Sequence, residues 1–117
     1  VELMEIKKGD IFYADLGQND YCVQNGIRPV VVISNNVGNE YGTTIIVAPL
    51  TSKIKRTDLP IHTILTRDEE NGLELNSVVL LEQIKTIDKR KLFSKMGSIC
   101  EKDLENINKC LRISLDL

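Results

Sequence analysis

Residues 25–33 read NGIRPVVVI, and Arg28 stands at the mouth of a run, Val30 to Ile33, that is apolar at every position. A guanidinium stays charged in every protein environment, so a permanent cation beside a core segment needs a reason. Pro29 biases Arg28 toward extended backbone, and Asn25-Gly26 is a turn signal just before it. The chain turns, presents one fixed cation and enters the core. A second stretch, TIIVAPLTSK, ends an apolar run on Thr51 and Ser52 and follows them with Lys53. Hydroxyls, backbone N–H groups leaving a strand and a nearby ammonium are donors suited to a phosphate oxygen; a threonine after a strand is equally an ordinary turn residue. Glu82 and Gln83 close the apolar run VVLL. A carboxylate accepts and an amide both donates and accepts, so this pair suits reading the edges of unstacked bases, or is a plain polar strand end. Tyr21 is a stacking candidate, but aromatic residues make up 4% of the chain, so extensive stacking is not the main mode of binding.

Other chemistries lack their residues. There is one histidine and no Cys-x-x-Cys, His-x-x-x-His or spaced carboxylate loop, so neither a metal site nor a cofactor is expected. The seven glycines form no phosphate-cradling motif, and no Gly-x-Ser-x-Gly sequence exists for a hydrolase nucleophile. His62, in LPIHTIL, could face solvent, core or a groove. The odd set Cys22, Cys100 and Cys110 argues against a disulfide framework and fits a reducing cytoplasm. No apolar run approaches the ~20 residues of a membrane span, and VELMEIKKGD is too charged for a secretory signal.

The elements that must position these residues are mostly strands. Asp10–Leu16, Pro29–Ser34, Thr44–Leu50, Ile61–Thr66, Ser77–Ile87 and Leu92–Met96 are rich in Val, Ile, Tyr and Thr and are separated by Gly, Asn, Asp and Lys clusters. Helical crossovers are missing between them, which disfavours a parallel α/β sheet and favours a mainly β fold, a small bent antiparallel barrel. Short helical turns are expected near Asn35–Glu40 and Asp88–Lys91. In CEKDLENINKCLRISLDL the period changes: Leu104, Ile107, Leu111 and Leu115 form one stripe of an amphipathic helix, with Cys110 beside it. Its acids come early and its bases late, as the helix dipole favours. With 117 residues, no repeats and no linker, residues 1–117 are expected to form a single domain.

Net charge is −2 and the sequence pI is about 5.4, which is not the bulk signature of a nucleic-acid binder. Any such role rests on local cations. These gather at Lys53, Lys55 and Arg56, then at Lys85, Lys89, Arg90, Lys91 and Lys95, whereas Asp68, Glu69, Glu70 and Glu74 form an acidic group elsewhere. Such segregation could give an acidic protein a cationic groove; charge runs are also commonly just solvated faces.

The segments KKGDIFYADL, IRPVVVISNNVGN, VAPLTSKIK, LPIHTIL and NSVVLLEQIKTIDKRKL resemble, in order and spacing, the MazF/PemK family of toxin endoribonucleases over about Lys7 to Leu117. The resemblance implies an SH3-like antiparallel barrel with a C-terminal helix, working as a homodimer through the helix or the Leu92–Met96 region. It implies metal-independent cleavage of single-stranded RNA by 2′-hydroxyl attack, leaving a 2′,3′-cyclic phosphate and a 5′-hydroxyl. By position, the essential arginine and threonine fall on Arg28 and Thr51. RNA contacts are implied for the Gly17–Ile27 loop, including Tyr21 and Gln24, and for Asn35, Ser52, Lys53, His62, Glu82 and Gln83. The implied partner is a MazE-like antitoxin with a disordered acidic tail. The loop departs from the family's frequent Gly-Gly: here Asn25 precedes Gly26, and asparagine is the substitute that best tolerates positive φ. Two rivals use related barrels. A CcdB-like gyrase poison would ignore Arg28 and Thr51, and a peptide-binding SH3-like module would need an aromatic groove that a chain without tryptophan scarcely has.

Overall fold

A computed structural model describes residues 5–18, 23–54 and 58–117. Tyr21, Cys22, Lys55 and Arg56 lie outside the described residues. Seven strands and two helices follow in order: β1 (Asp10–Asp15), β2 (Ile27–Val32), α1 (Asn36–Tyr41), β3 (Thr44–Thr51), β4 (His62–Leu65), β5 (Ser77–Leu80), β6 (Lys85–Asp88), β7 (Leu92–Ser98) and α2 (Glu101–Leu115), with a 3-10 turn over Lys89–Lys91. All pairings are antiparallel, in the spatial order β4-β5-β3-β2-β1-β7, with β6 also bonded to β3. The expected mainly β architecture with a C-terminal helix is the one observed.

The apolar run at 30–33 is buried on both faces. Val30 and Val32 pack in one core with Phe12, Ala14, Ile45, Val47 and Leu92, while Val31 and Ile33 pack in another with Ile11, Leu50, Leu65, Val79 and Ile107. Successive side chains of a strand point to opposite faces, so a strand lying between two cores must be apolar throughout. That places β2 at the centre of the molecule. Its N-terminal end, with Ile27 exposed and Arg28 half-buried, is where it leaves both cores.

The segment expected as one strand over Ser77–Ile87 is two. The C-terminal end of β3 pairs with β5, Leu50 facing Val79, and its N-terminal half pairs with β6, Val47 facing Lys85. Three steps along β3 thus correspond to six along its partner. The surplus residues, around Leu81–Ile84, leave the ladder in a turn closed by the Gln83 N–H donating to the Leu80 carbonyl at 3.1 Å. A uniform apolar pattern does not announce such an interruption, because both halves remain strand-like.

Helix α2 covers the second core through Ile107 and Cys110, both buried. The Ser114 hydroxyl donates to the Leu81 carbonyl at 2.9 Å, and the Cys110 thiol lies 3.7 Å from the His62 carbonyl. Burial raises the Cys110 pKa and keeps it a thiol, consistent with a donor. The stripe read from the sequence ends sooner than expected: Leu104 and Leu111 are partly buried, but Leu115 is 48% exposed. Past Ser114 the helix runs beyond the barrel it packs on.

The connection from β4 to β5 is braced rather than loose. Buried Asn71 donates its side-chain N–H to the Thr66 carbonyl at 2.9 Å, and its Oδ1 accepts from Asp68 and Leu73 N–H. Gly72 has φ +68, and a Cβ there would overlap the Met96 carbonyl oxygen; one at Gly97 would overlap the Glu70 carbonyl. The Ser98 N–H donates to that Glu70 carbonyl at 2.9 Å. Backbone therefore lies against backbone, which only glycine allows here. Gly72→Ala is expected to cost roughly 2–3 kcal/mol through left-handed strain and overlap, read as a Tm lower by on the order of 10 °C in thermal unfolding.

Candidate functional site

A cleft of about 370 Å³ opens where β2 and β3 end, and its lining includes Tyr13, Gln24, Arg28, Thr51, Ser52, Lys53 and Glu74. Five residues singled out in the sequence, Gln24, Arg28, Thr51, Ser52 and Lys53, meet here although they are separated by up to the length of two strands. The pairing explains it. The β2–β3 ladder ends where Val30 faces Pro49, and Arg28 on one strand and Thr51 on the other each lie two residues beyond that end. Both residues therefore leave the ladder at the same end of the sheet and line one cleft.

Arg28 is held by backbone oxygens. Its Nε donates to the Asn25 carbonyl at 3.1 Å, and Nη1 makes a longer contact of 3.5 Å with the Leu50 carbonyl. Among the described residues no carboxylate pairs with it. The fork is therefore oriented but not neutralised, and its remaining N–H groups are available to an anion. The turn preceding it uses Gly26, at φ +74, rather than Asn25, for the left-handed position. The Thr51 hydroxyl oxygen accepts the Lys53 N–H at 3.2 Å, which leaves the hydroxyl proton to be donated elsewhere.

A second cleft, of about 320 Å³, is lined by Leu16, Val23, Gln24, Pro49, Glu82, Gln83, Ile84 and Lys85. Gln24 lines both clefts, so they adjoin. Glu82 and Gln83 reach this surface because the turn between β5 and β6 lifts them out of the ladder. Both have partners already. The Gln83 side-chain oxygen accepts the Gln24 N–H at 2.9 Å, tying the β1–β2 loop to the turn. The Glu82 carboxylate oxygens lie 2.8 and 3.0 Å from His62 Nε2. His62 thus faces neither open solvent nor the core, and its ring carries little exposure. Asn35 stands apart: it caps α1, its side chain accepting the Gly38 N–H at 2.8 Å, and it lines neither cleft.

The charge map differs from the sequence expectation in two ways. Three of the five cations at 85–95, Lys85, Arg90 and Lys95, are internally engaged. Lys85 donates to the Leu16 carbonyl at 2.7 Å, Arg90 pairs with Asp88 at 2.9 Å, and Lys95 lies 3.3 Å from buried Asp10. Sequence proximity of cations does not reveal carboxylates and carbonyls that folding brings to them. Conversely Glu74, grouped with acids away from the cations, lines the same cleft as Arg28 and Lys53. No local signal marks it, because the braced 66–77 connection alone carries it there. Among the described residues no three His, Cys, Asp or Glu side chains gather as a cation site.

The family model for the PemK-like, MazF-like toxin of type II toxin–antitoxin systems matches residues 7–115. The chain belongs to this family. It is 40% identical over 114 residues to endoribonuclease EndoA of Bacillus subtilis, covering 97% of each chain. It is 39% identical over 112 residues to endoribonuclease MazF of Staphylococcus saprophyticus, covering 96% of this chain and 92% of that one. Among solved structures, MazF from Deinococcus radiodurans superposes with a TM-score of 0.82 at 19% identity over 97% of this chain and 99% of that one. A mycobacterial endoribonuclease in complex with its cognate antitoxin superposes with a TM-score of 0.78 at 22% identity over 95% of each chain. These structures share the MazF fold, and in this family member the fold brings Arg28 and Thr51 to one cleft.

Two measurements test this geometry. Gln83→Ala removes the acceptor of the Gln24 N–H, so that amide should exchange with solvent roughly 2- to 10-fold faster, matching a net hydrogen bond of ~0.5–1.5 kcal/mol. Arg90 hydrogen-bonds Asp88 and lowers its pKa from 3.8 to about 2. A carboxylate with a depressed folded pKa stabilises above its unfolded value and loses that contribution as pH falls through the folded one. Parent and Asp88→Asn should therefore differ in urea midpoint above pH 3.8 and converge as the pH falls to about 2.

Proposed function

We propose that this chain is a sequence-specific endoribonuclease toxin that cuts single-stranded RNA without a metal ion, through attack of a ribose 2′-hydroxyl on the adjacent phosphorus. The observation that carries this reading is the meeting of an oriented, unneutralised Arg28 with the Thr51 hydroxyl in one cleft, in a chain 40% identical to an endoribonuclease. Attack concentrates negative charge on the non-bridging oxygens. A planar cation already aimed at them gains more from that state than from the ground state, and its backbone anchors spare it reorganisation. A unit charge pair at ~4 Å and an effective dielectric near 20 is worth ~4 kcal/mol, comparable to the ~3–4 kcal/mol lost when one oxyanion donor is removed. Arg28 and Thr51 are therefore the catalytic residues of this reading, one stabilising charge and the other holding the phosphate in line. Bond exchange at phosphorus yields a 2′,3′-cyclic phosphate and a 5′-hydroxyl.

Ser52 and Lys53 extend the phosphate-binding edge, while the adjoining cleft, with Gln24, Glu82 and Gln83, receives neighbouring bases. Gln83 orders the Gln24 backbone beside these bases, and His62 positions Glu82. Tyr21 is proposed as a stacking residue from the sequence alone, and Asn35 as a more remote contact. The protein acts as a homodimer of single-domain chains in the cytoplasm, and an acidic antitoxin tail blocks RNA by occupying the same cationic edge. No helix among the described residues is long and apolar enough to cross a membrane. The family membership favours cleavage over gyrase binding without cleavage.

Incubating the purified chain with long RNA and a chelator, then sequencing fragment ends, tests the reading. Clustered cuts bearing cyclic phosphates are expected. Arg28→Ala and Thr51→Ala should each lower kcat by on the order of 10²–10³-fold. Variants that cut as fast as the parent would falsify the assignment.

A further inference from the structure

We infer that the Glu74 carboxylate is the group that accepts the 2′-hydroxyl proton in this cleft. The inference rests on the ribonuclease reading and deepens it. Attack at phosphorus requires the 2′-oxygen to lose its proton, and a guanidinium that already carries its proton is a poor acceptor. The other polar groups of the cleft do not supply one. The Lys53 ammonium has donors only, and the Thr51 hydroxyl is an alcohol like the one it would have to deprotonate. Tyr13, Gln24, Ser52 and Ser77 carry hydroxyls or an amide, none of them basic at neutral pH. His62 and Glu82 are engaged with each other, and neither lines this cleft. Glu74 is the carboxylate among the lining residues.

Its placement is built. The Leu73 carbonyl, just before it, accepts from Arg67 Nε at 3.2 Å. The Leu75 carbonyl, just after it, accepts from the buried Ser77 hydroxyl at 2.9 Å. Leu73 itself is anchored in the core, and the Asn71–Gly72 backbone lies against β7. Backbone flanked by fixed points on both sides keeps Glu74 at the edge of the cleft. No cation pairs with Glu74 among the described residues, although Arg28 and Lys53 line the same space. A carboxylate facing a phosphate site repels the substrate. Its presence is accounted for if it works on the proton instead of on binding.

The step balances. The 2′-O–H bond breaks and its proton passes to a Glu74 carboxylate oxygen. The 2′-oxygen pair forms the new P–O bond, and the P–O5′ bond breaks with its pair going to the leaving oxygen. That oxygen takes a proton from water, and Glu74 returns its own to water, so no net proton is consumed.

The test is steady-state cleavage of an oligoribonucleotide containing the mapped site, by parent and Glu74→Gln, across a pH range. Far-UV circular dichroism checks that the exposed, isosteric substitution leaves the fold intact. Glu74→Gln should lower kcat by ~10²-fold or more, while KM stays level or falls because a repulsive charge is gone. The limb of the parent's profile in which kcat rises with pH should vanish in the variant, since a protonated carboxyl cannot accept. A kcat within ~3-fold of the parent, or a lowered kcat with that limb intact, overturns the assignment. A parent that leaves the RNA whole overturns the ribonuclease reading and this inference together, whereas an active parent with an indifferent variant overturns this inference alone.

Discussion

An arginine that keeps its charge while standing at the end of a doubly buried strand is the constraint around which the molecule is organised. Strand β2 runs between two cores, and neither tolerates an unpaired cation. Arg28 is admissible only where β2 emerges, and there the Asn25 and Leu50 carbonyls hold its fork without cancelling its charge. A carboxylate partner in place of those carbonyls would have stabilised the arginine and spoiled the site. The same burial that makes the strand rigid makes the arginine rigid, so core packing and charge stabilisation are two consequences of one arrangement.

The remaining walls of the cleft are brought up by different devices. Antiparallel register with β3 delivers Thr51, and the tight Thr51–Lys53 turn orients its hydroxyl. Glycines at 72 and 97 let the connection before β5 lie directly against β7, which sets Glu74 across the opening. A slip of register between β5 and β6 lifts Glu82 and Gln83 off the sheet and into the adjoining cleft. From there Gln83 fastens the β1–β2 loop that carries Gln24 toward both. Helix α2 contributes at a distance. By bonding Leu81 and His62 it steadies both ends of the His62–Glu82 pair.

Charge within the fold is distributed by pairing rather than by counting. An overall charge of −2 sits easily with a local anion site, because among the described residues no carboxylate pairs with Arg28 or Lys53 in the first cleft, whereas Lys85, Arg90 and Lys95 are engaged by the Leu16 carbonyl, Asp88 and Asp10. For a polyanionic substrate, two positive groups lining one cleft matter more than a basic average.

Local pattern was enough for the strands around Asp10–Asp15, Ile27–Val32 and Thr44–Thr51, for the helix over Glu101–Leu115, and for Arg28 and Thr51 as its two strand-end residues of interest. Burial on both faces writes a continuous apolar run, helical packing writes a 3–4-residue stripe, and a charged residue abutting either is conspicuous. The break inside Ser77–Ile87 left no such mark, since two strands in different register share one composition. Nor did sequence set Lys95 beside Asp10, or bring Glu74 from an acidic stretch to the arginine's cleft. Those facts depend on which backbones lie within hydrogen-bond reach across the chain. Only the assembled sheet, with its register slip and its two close glycine contacts, decides them.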